Sequence, residues 1–281
     1  MSVSPLELQT TSVQIAFRTA TRLRVFNAVM GFLHLASGSL MVALSNDFSL
    51  PVSTFALNGT PGTSLSQGVT NLVFDVPLGI ATASFLFLSA FFHFLIASPI
   101  GFHRYIGELS RGRNRFRWVE YSVSSTLMIV LISLILGISD IAALIGLGIA
   151  NISMILFGWL MEMTNNGLMH DADGRPQRGQ RAWWTPFWFG CVAGIGPWLA
   201  VAVYLIVNVG VEGGEGPPGF VYGIIISLFV FFNSFAINQW LQYKQVGRWR
   251  NYLTGERTYI VLSLIAKTLL AWQVFANVLI G

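Results

Sequence analysis

Long apolar stretches alternate with short polar segments along most of the chain. A helix that crosses a bilayer needs about 20 largely apolar residues. Seven stretches meet this requirement, covering roughly residues 25–45, 76–98, 115–136, 140–162, 186–208, 218–243 and 254–280. The pattern therefore predicts an all-α membrane protein, in which residues 1–281 form a single seven-helix transmembrane domain.

The longest connection, residues 46–75, has the pattern of a β-hairpin. The turn signals Asn58-Gly59 and Pro61-Gly62 lie between two short segments, 52–55 and 68–71, that contain β-branched residues. Such dipeptides favour chain reversal between strands. We predict a small β-hairpin lying over one face of the membrane.

Composition supports a membrane protein and argues against other classes. Hydrophobic residues make up 54% of the chain and charged residues only 10%, whereas soluble domains typically carry about 25% charged residues. The single cysteine, Cys191, excludes an internal disulfide and a cysteine-based metal cluster. The connection between the fourth and fifth spans has no catalytic motif, and we predict neither an enzyme nor a nucleic-acid-binding protein.

The basic residues indicate the orientation of the bundle. Fifteen of the sixteen Lys and Arg residues fall in the N-terminal tail and in the second, fourth and sixth connections, which share one membrane face. The other face has none of them and carries Asp47, Asp75, Glu212 and Glu215. Because cytoplasmic loops are rich in Lys and Arg, we predict a multi-pass cell-membrane protein with a cytoplasmic N-terminus. The C-terminus and the hairpin would be extracellular.

Lys267 is the exception to this charge pattern. It lies near the middle of the last apolar stretch, ten residues from Arg257, which is roughly 15 Å along a helix. An ionisable group at that depth is costly unless it is paired or chemically changed. A structural lysine that bridges helices is one explanation. The others are a proton or ion relay, and an amine that condenses with an aldehyde to form a Schiff base.

Glu120 is the candidate anion for this lysine, because it lies about two turns inside the third span. The other carboxylates considered fall at span ends or in loops: Asp75, Glu108, Asp140 and Glu162. One buried cation and one buried anion in so apolar a chain argue for an ion pair. The alternative is that Glu120 only neutralises Arg117 near the membrane interface.

Two histidines lie at the depth of Lys267. His34 lies ten residues after Arg24, and His93 lies ten residues before His103. Residues four apart share a helix face, which adds three serines to the group: Ser89, Ser124 and Ser263. Together they could form a hydrated pocket on the cytoplasmic half, with histidine as proton acceptor. Each residue alone would more often be an ordinary packing residue, and their common depth is what favours a functional pocket.

The fourth, fifth and sixth spans are rich in aromatic side chains. Examples are Trp159, Trp198, Phe229 and Phe232, and Gly158 leaves space between them. A long polyene would need such an apolar sleeve, although aromatic stripes are also ordinary packing in membrane bundles.

Five segments resemble the heliorhodopsins, a family related to the microbial rhodopsins. They are FRWVEYS (116–122), NISMILFGWL (151–160), PFWFGCVAGIGP (186–197), PGFVYGIIISLFVFFNSFA (218–236) and SLIAKTLLAWQ (263–273). The last resembles the helix that carries the retinal lysine in this family. The likeness extends from about Asn27 to Phe275, nearly the whole chain.

The resemblance implies a cofactor and the residues that hold it. All-trans retinal would be bound covalently to Lys267 as a protonated Schiff base, with Glu120 as its counterion. A polar cavity on the cytoplasmic side would include the positions His34, Ser89, His93 and Ser263. The retinal sleeve would include the positions Asn151, Met154, Phe229, Phe232 and Gln239. The family also implies the same inverted orientation, a homodimer, and a β-strand element in the first outer loop.

The resemblance further implies a light sensor with a slow photocycle, without ion transport and with an unknown cytoplasmic signalling partner. The sequence agrees, because residues 127–136 and 268–275, on the outer side of Lys267, contain no titratable group, whereas a pump needs a proton relay on both sides. The main alternative is a light-driven proton pump or light-gated proton channel. A light-regulated enzyme and a retinal-free protein with a structural lysine are the others.

Overall fold

Eight α-helices and one two-stranded sheet make up most of the described part of the chain. The computed structural model describes residues 15–165, 181–209 and 218–279. The helices are α1 (Phe17–Leu44), α2 (Leu78–Ala97), α3 (Pro99–Leu109), α4 (Arg115–Ile135), α5 (Ile141–Thr164), α6 (Thr185–Val209), α7 (Gly219–Tyr243) and α8 (Tyr252–Val274). All except α3 are long and apolar enough to cross a membrane. The predicted seven-helix architecture is confirmed.

The short helix α3 lies in a segment that the sequence predicted as a plain connection. Its first turn is set by Ser98, whose side-chain oxygen accepts a hydrogen bond from the Gly101 backbone N–H at 3.1 Å, and by Pro99 at the first helical position. α3 buries Tyr105 and Leu109 against the bundle. At eleven residues it is too short to span a bilayer, so apolar length alone could not reveal it.

Helix ends also differ from the predicted spans. α1 begins at Phe17, before the predicted start at residue 25, because a helix can continue through the polar first turns that carry Arg18 and Arg22. A π-helical turn, Phe275–Leu279, continues α8. The predicted end of that span, residue 280, lies outside the described residues.

The predicted β-hairpin is confirmed. Strand β1 (Ser49–Leu57) pairs antiparallel with β2 (Gly68–Pro77), and a 3-10 turn, Leu65–Gln67, precedes β2. The hairpin is tied to the short loop between α4 and α5. The Ser53 backbone N–H donates to the Ser139 carbonyl oxygen at 2.8 Å, and the two side-chain hydroxyls lie 2.9 Å apart.

The helices pack in a bundle whose inner members are α2, α4 and α8. α1 packs against α2, α4 lies between α2 and α5, α6 packs against α5, and α7 packs against α8. Large apolar side chains cover the outside: Phe32 is 64% exposed, Val192 72% and Ile206 73%. Surfaces of this kind are unfavourable in water and indicate contact with lipid tails.

The two ends of the bundle differ in charge. α1, α4, α6 and α8 begin at one end, here called the basic end, and the hairpin covers the opposite end, the hairpin end. Within the described ranges, every Lys and Arg except Lys267 lies at the basic end. Arg175, Arg178, Glu212 and Glu215, which also entered the charge argument, lie outside those ranges.

Candidate functional site

Lys267 and Glu120 form an ion pair in the middle of the bundle. α8 supplies the lysine and α4 the glutamate, and 2.5 Å separates Lys267 Nζ from Glu120 Oε1. The two residues are only 3% and 5% exposed. A buried pair of this kind is tolerated only with close geometry and further hydrogen bonds, because both charges have lost their water.

Ser89 supplies one of those hydrogen bonds. Its hydroxyl oxygen accepts from Lys267 Nζ at 2.6 Å and lies 2.7 Å from Glu120 Oε1, to which it can donate. The sequence placed Ser89 in the proton-accepting pocket beside His93. The structure places it in direct contact with the amine and the carboxylate, so it belongs to the ion pair itself.

His34 and His93 stack on each other near this pair. Their ring centroids are 5.5 Å apart and their planes differ by 14°. His93 Nδ1 lies 2.9 Å from the Asn27 side-chain oxygen. Because that oxygen can only accept, Nδ1 carries the hydrogen and Nε2 of the neutral ring is left as an acceptor. Both His34 ring nitrogens are buried without a hydrogen-bond partner among the described residues.

A polar cavity extends from the ion pair toward the basic end. Its lining includes Asn27, Ser89, His93, Glu120 and Ser263. The structure thus brings Ser89, His93, Glu120 and Ser263 to one cavity. His34 stacks on His93. The cavity also reaches two residues that the sequence did not place here, Arg117 and Glu256.

A second cavity lies on the other side of Lys267 and is almost wholly apolar. Its empty volume is about 720 Å³, counting the part that opens at the bundle surface. Lys267 lines this cavity together with Trp118, Tyr121, Ser124, Met128, Met154, Phe232, Phe235, Gln239 and Tyr259. The hydroxyl of Ser124 is buried here without a hydrogen-bond partner among the described residues. A buried amine at the wall of an aromatic cavity fits an elongated apolar aldehyde such as retinal.

Gly158 shapes this apolar cavity. A Cβ atom at that position would lie 2.6 Å from Cζ3 of Trp118, so only glycine lets the indole ring lie against α5. The glycine carbonyl oxygen accepts a hydrogen bond from the Gln239 side chain at 2.9 Å. The two contacts hold Trp118 and Gln239 on the wall of the cavity.

Two of the predicted sleeve residues, Asn151 and Phe229, do not line the apolar cavity itself. The Asn151 amide donates to Ser125 Oγ at 2.8 Å and to Thr126 Oγ1 at 2.9 Å, so it links α5 to α4 without lining the apolar cavity. Phe229 is 48% exposed and lines an adjoining crevice among α5, α6 and α7, where its ring centroid lies 5.1 Å from that of Trp198. This crevice shares Met154, Gly158, Phe232, Ala236 and Gln239 with the apolar cavity.

The cavity-lining aromatics Tyr121 and Tyr259 were not predicted. Tyr259 lies eight residues before Lys267, a spacing that returns to the same helix face. Tyr121 directly follows Glu120 in sequence. These spacings were visible signals, but they do not distinguish a cavity wall from ordinary packing.

Arg117, Glu162 and Glu256 form a second buried ionic site nearer the basic end. One guanidinium nitrogen of Arg117 lies 2.5 Å from Glu162 Oε1 and the other contacts Glu256 Oε2. Both glutamates are 1% exposed. Glu120 is therefore not the only buried carboxylate of the described residues. Both glutamates lie close to helix ends in sequence, and the side chains that contact them come from α3, α4, α8 and the loop before α4.

Further hydrogen bonds complete this ionic cluster. Glu162 accepts from the Tyr252 hydroxyl at 2.8 Å and from Trp118 Nε1 at 2.5 Å. Glu256 accepts from the Asn114 side chain at 2.7 Å and from the Tyr105 hydroxyl at 3.1 Å. Burial, and then the charge of Glu256, raise the pKa of Tyr105 well above its ordinary value, so this phenol stays protonated as a donor.

The ionic cluster also decides between the two explanations of Glu120. Arg117 is engaged by Glu162 and Glu256, and no ion pair between Arg117 and Glu120 occurs in the described structure. The carboxylate of Glu120 pairs with Lys267 instead.

The described helices thus form a seven-helix membrane bundle with a buried lysine–carboxylate pair beside an apolar cavity. Two solved structures share this fold. The light-driven proton pump LR (Mac) from Leptosphaeria maculans has a TM-score of 0.56 and 14% identity, and the match covers 95% of this chain and 98% of that chain. Exiguobacterium sibiricum rhodopsin has a TM-score of 0.58 and 15% identity, covering 92% and 95%. Identities this low show the fold alone.

Family membership follows from the sequence as a whole. The sequence model of the heliorhodopsin family matches residues 23–279, so the chain belongs to the heliorhodopsin family. It is a light-responsive membrane protein of the retinal type, and the predicted family resemblance is confirmed. Comparison with curated protein sequences gave no match.

Proposed function

We propose that this protein is a light sensor that binds all-trans retinal on Lys267 and signals without transporting ions. One observation carries the proposal: Lys267 lines an apolar aromatic cavity, and its Nζ pairs with Glu120, which lines a polar cavity. Bound as a protonated Schiff base, retinal would supply light absorption and isomerisation to the 13-cis form. The protein's own side chains would compensate the charge and take up the proton.

Glu120 and Ser89 would stabilise positive charge on the Lys267 nitrogen. The carboxylate compensates the charge at 2.5 Å. A protonated Schiff base has a single N–H, which Glu120 or Ser89 can accept, and the Ser89 hydroxyl can itself donate to Glu120 at 2.7 Å. Because the site is deeply buried, one close anion strongly affects whether the proton stays on the Lys267 nitrogen.

His93 is the proposed proton acceptor, with His34 beside it. The Asn27 contact orients the His93 ring so that Nε2 is available to take up a proton. The stacked His34 ring, which has no hydrogen-bond partner among the described residues, provides a second basic nitrogen. A proton released from the site would be held on the basic-end side of Lys267.

The hairpin-end side of Lys267 offers no comparable relay in the described residues. The side chains buried there include Met128, Leu131, Leu270 and Val274. Because the described residues between Lys267 and the hairpin end include no Asp, Glu, His, Lys or Arg, a proton would lack a side-chain relay of that kind through that half of the bundle. This asymmetry supports a sensor over a pump.

We also propose the orientation and the assembly that the family resemblance implies. The basic end would face the cytoplasm, because cytoplasmic segments are rich in Lys and Arg. The hairpin and the C-terminus would then be outside the cell. The protein would be a homodimer in the cell membrane and would act on an unknown cytoplasmic partner.

Replacing Glu120 by glutamine is expected to shift the absorption band to longer wavelength. Removing the anion beside a protonated nitrogen lowers the energy needed to delocalise its charge along the polyene. Absorption spectra of the retinal-reconstituted variants measure the shift. Asp47→Asn, which neutralises an exposed carboxylate at the hairpin end, is the matched control and should leave the band in place. An unchanged Glu120→Gln spectrum would remove Glu120 as counterion.

Illumination is expected to cause no sustained pH change in a suspension of cells or vesicles that contain the protein. The reason is the missing relay on the hairpin-end side. A light-induced pH change that a protonophore abolishes, and that Lys267→Ala lacks, would favour the pump. Light-gated photocurrents in patch-clamp recordings would favour the channel.

A further inference from the structure

A groove with a positive rim lies outside the bundle at the basic end. It is formed by α2, α3 and α4, and its empty volume is about 1170 Å³, counting its open mouth. Its lining comprises Phe92, Leu95, Arg104, Gly107, Glu108, Arg111, Arg115, Phe116 and Val119. Phe92 and Phe116 also line the polar cavity beside Glu120, whereas none of the charged residues of the groove does.

The side chains along the rim of the groove carry more positive than negative charge. Glu108 is engaged by Arg113 and Arg115, with N–O distances of 3.0 and 2.7 Å. Arg104 and Arg111 are exposed, and no carboxylate of the described residues forms a salt bridge with either. Three arginines thus line the groove with a single carboxylate, and two of them, Arg104 and Arg111, are available to a bound anion.

The floor of the groove is apolar and continues toward the lipid-facing surface. On α4, Val119 is 41% exposed and Val123, one turn further, is 47% exposed. Residues four apart share a helix face, so the apolar strip runs from the groove toward the middle of the bundle. On α2, Phe92 and Leu95 form the other side of the floor.

We propose that this groove binds an anionic phospholipid, with the phosphate at Arg104 and Arg111 and an acyl chain along the apolar floor. Basic pockets beside transmembrane helices suit anionic lipid head groups, and guanidinium groups bind phosphate through paired hydrogen bonds. A soluble anion would use the rim but not the floor. The combination of an unbalanced rim and a lipid-facing floor therefore favours a lipid. The proposal does not depend on retinal binding.

Native mass spectrometry of the full-length purified protein tests the proposal. The delipidated protein is equilibrated with phosphatidylglycerol or with phosphatidylcholine of the same acyl chains. We expect preferential retention of phosphatidylglycerol, and Arg104→Gln and Arg111→Gln should each weaken it by about fivefold. Both side chains are exposed, so the variants should fold, and thermal melting verifies this.

The matched control is the double variant Arg22→Gln, Arg248→Gln, which removes two exposed cations at the basic end outside the groove. It should retain phosphatidylglycerol as the wild type does. Glycerol 3-phosphate, which carries the charge without acyl chains, should not displace the lipid. Three results would each overturn the proposal: equal retention of both lipids, equal loss in the control, or displacement by glycerol 3-phosphate at comparable concentration.

Discussion

The variant Lys267→Ala, supplied with all-trans retinal, is expected to show no visible absorption band. The Lys267 nitrogen is the only amine at the wall of the apolar cavity within the described structure, and a Schiff base cannot form without it. Absorption spectroscopy of the purified, retinal-treated protein measures the loss, which should be complete.

Two further variants make this result specific. Lys267→Arg keeps a cation beside Glu120 but cannot form a Schiff base, so it should fold and still lack the band. Lys244→Ala removes the only other lysine in the sequence and should keep the band. Colour in Lys267→Arg, or its loss in Lys244→Ala, would contradict the assignment of the retinal lysine.

Replacing Arg117 by glutamine is expected to lower the free energy of unfolding by about 3–5 kcal/mol. The substitution leaves Glu162 and Glu256, each 1% exposed, without their shared cation. It also removes the guanidinium that lies 4.1 Å from the Tyr259 ring centroid, at the wall of the apolar cavity. Thermal or denaturant unfolding in detergent measures the change.

A compensating variant separates charge from packing. Arg117→Met combined with Glu162→Gln and Glu256→Gln removes all three charges and should recover much of the lost stability, because no carboxylate is then left without a cation. Arg115→Gln, which breaks a more exposed salt bridge to Glu108, should cost about 1 kcal/mol or less. If Arg117→Gln unfolded like the wild type, the ionic cluster would have no structural role.

Much of the fold could be predicted, because lipid imposes simple requirements on a spanning helix. Apolar length alone predicted seven helices, and the turn dipeptides Asn58-Gly59 and Pro61-Gly62 predicted the hairpin. Lys267 was identifiable because every other cation lies at one end. Its partner Glu120 was identifiable by depth, since few polar groups occur at that level of the bundle.

The remaining features depend on tertiary packing that spacing along the chain does not determine. Helical periodicity shows which residues share a face but not where that face points. Asn151 therefore turned out to link α5 to α4, and Phe229 to line a crevice that adjoins the apolar cavity. Glu162 and Glu256 lie at sequence positions typical of solvated helix ends, and they are buried among side chains of α3, α4, α8 and the loop before α4.

Trp118 has a consequence for how light could become a signal. One edge of its indole forms part of the apolar cavity wall and lies against Gly158. Its N–H is hydrogen-bonded to Glu162, in the cluster that also holds Arg117. A single rigid ring thus connects the proposed chromophore site to the ends of three helices. A displacement of that ring alters the Glu162 hydrogen bond directly, so information could reach the basic end mechanically, even when no proton leaves the protein.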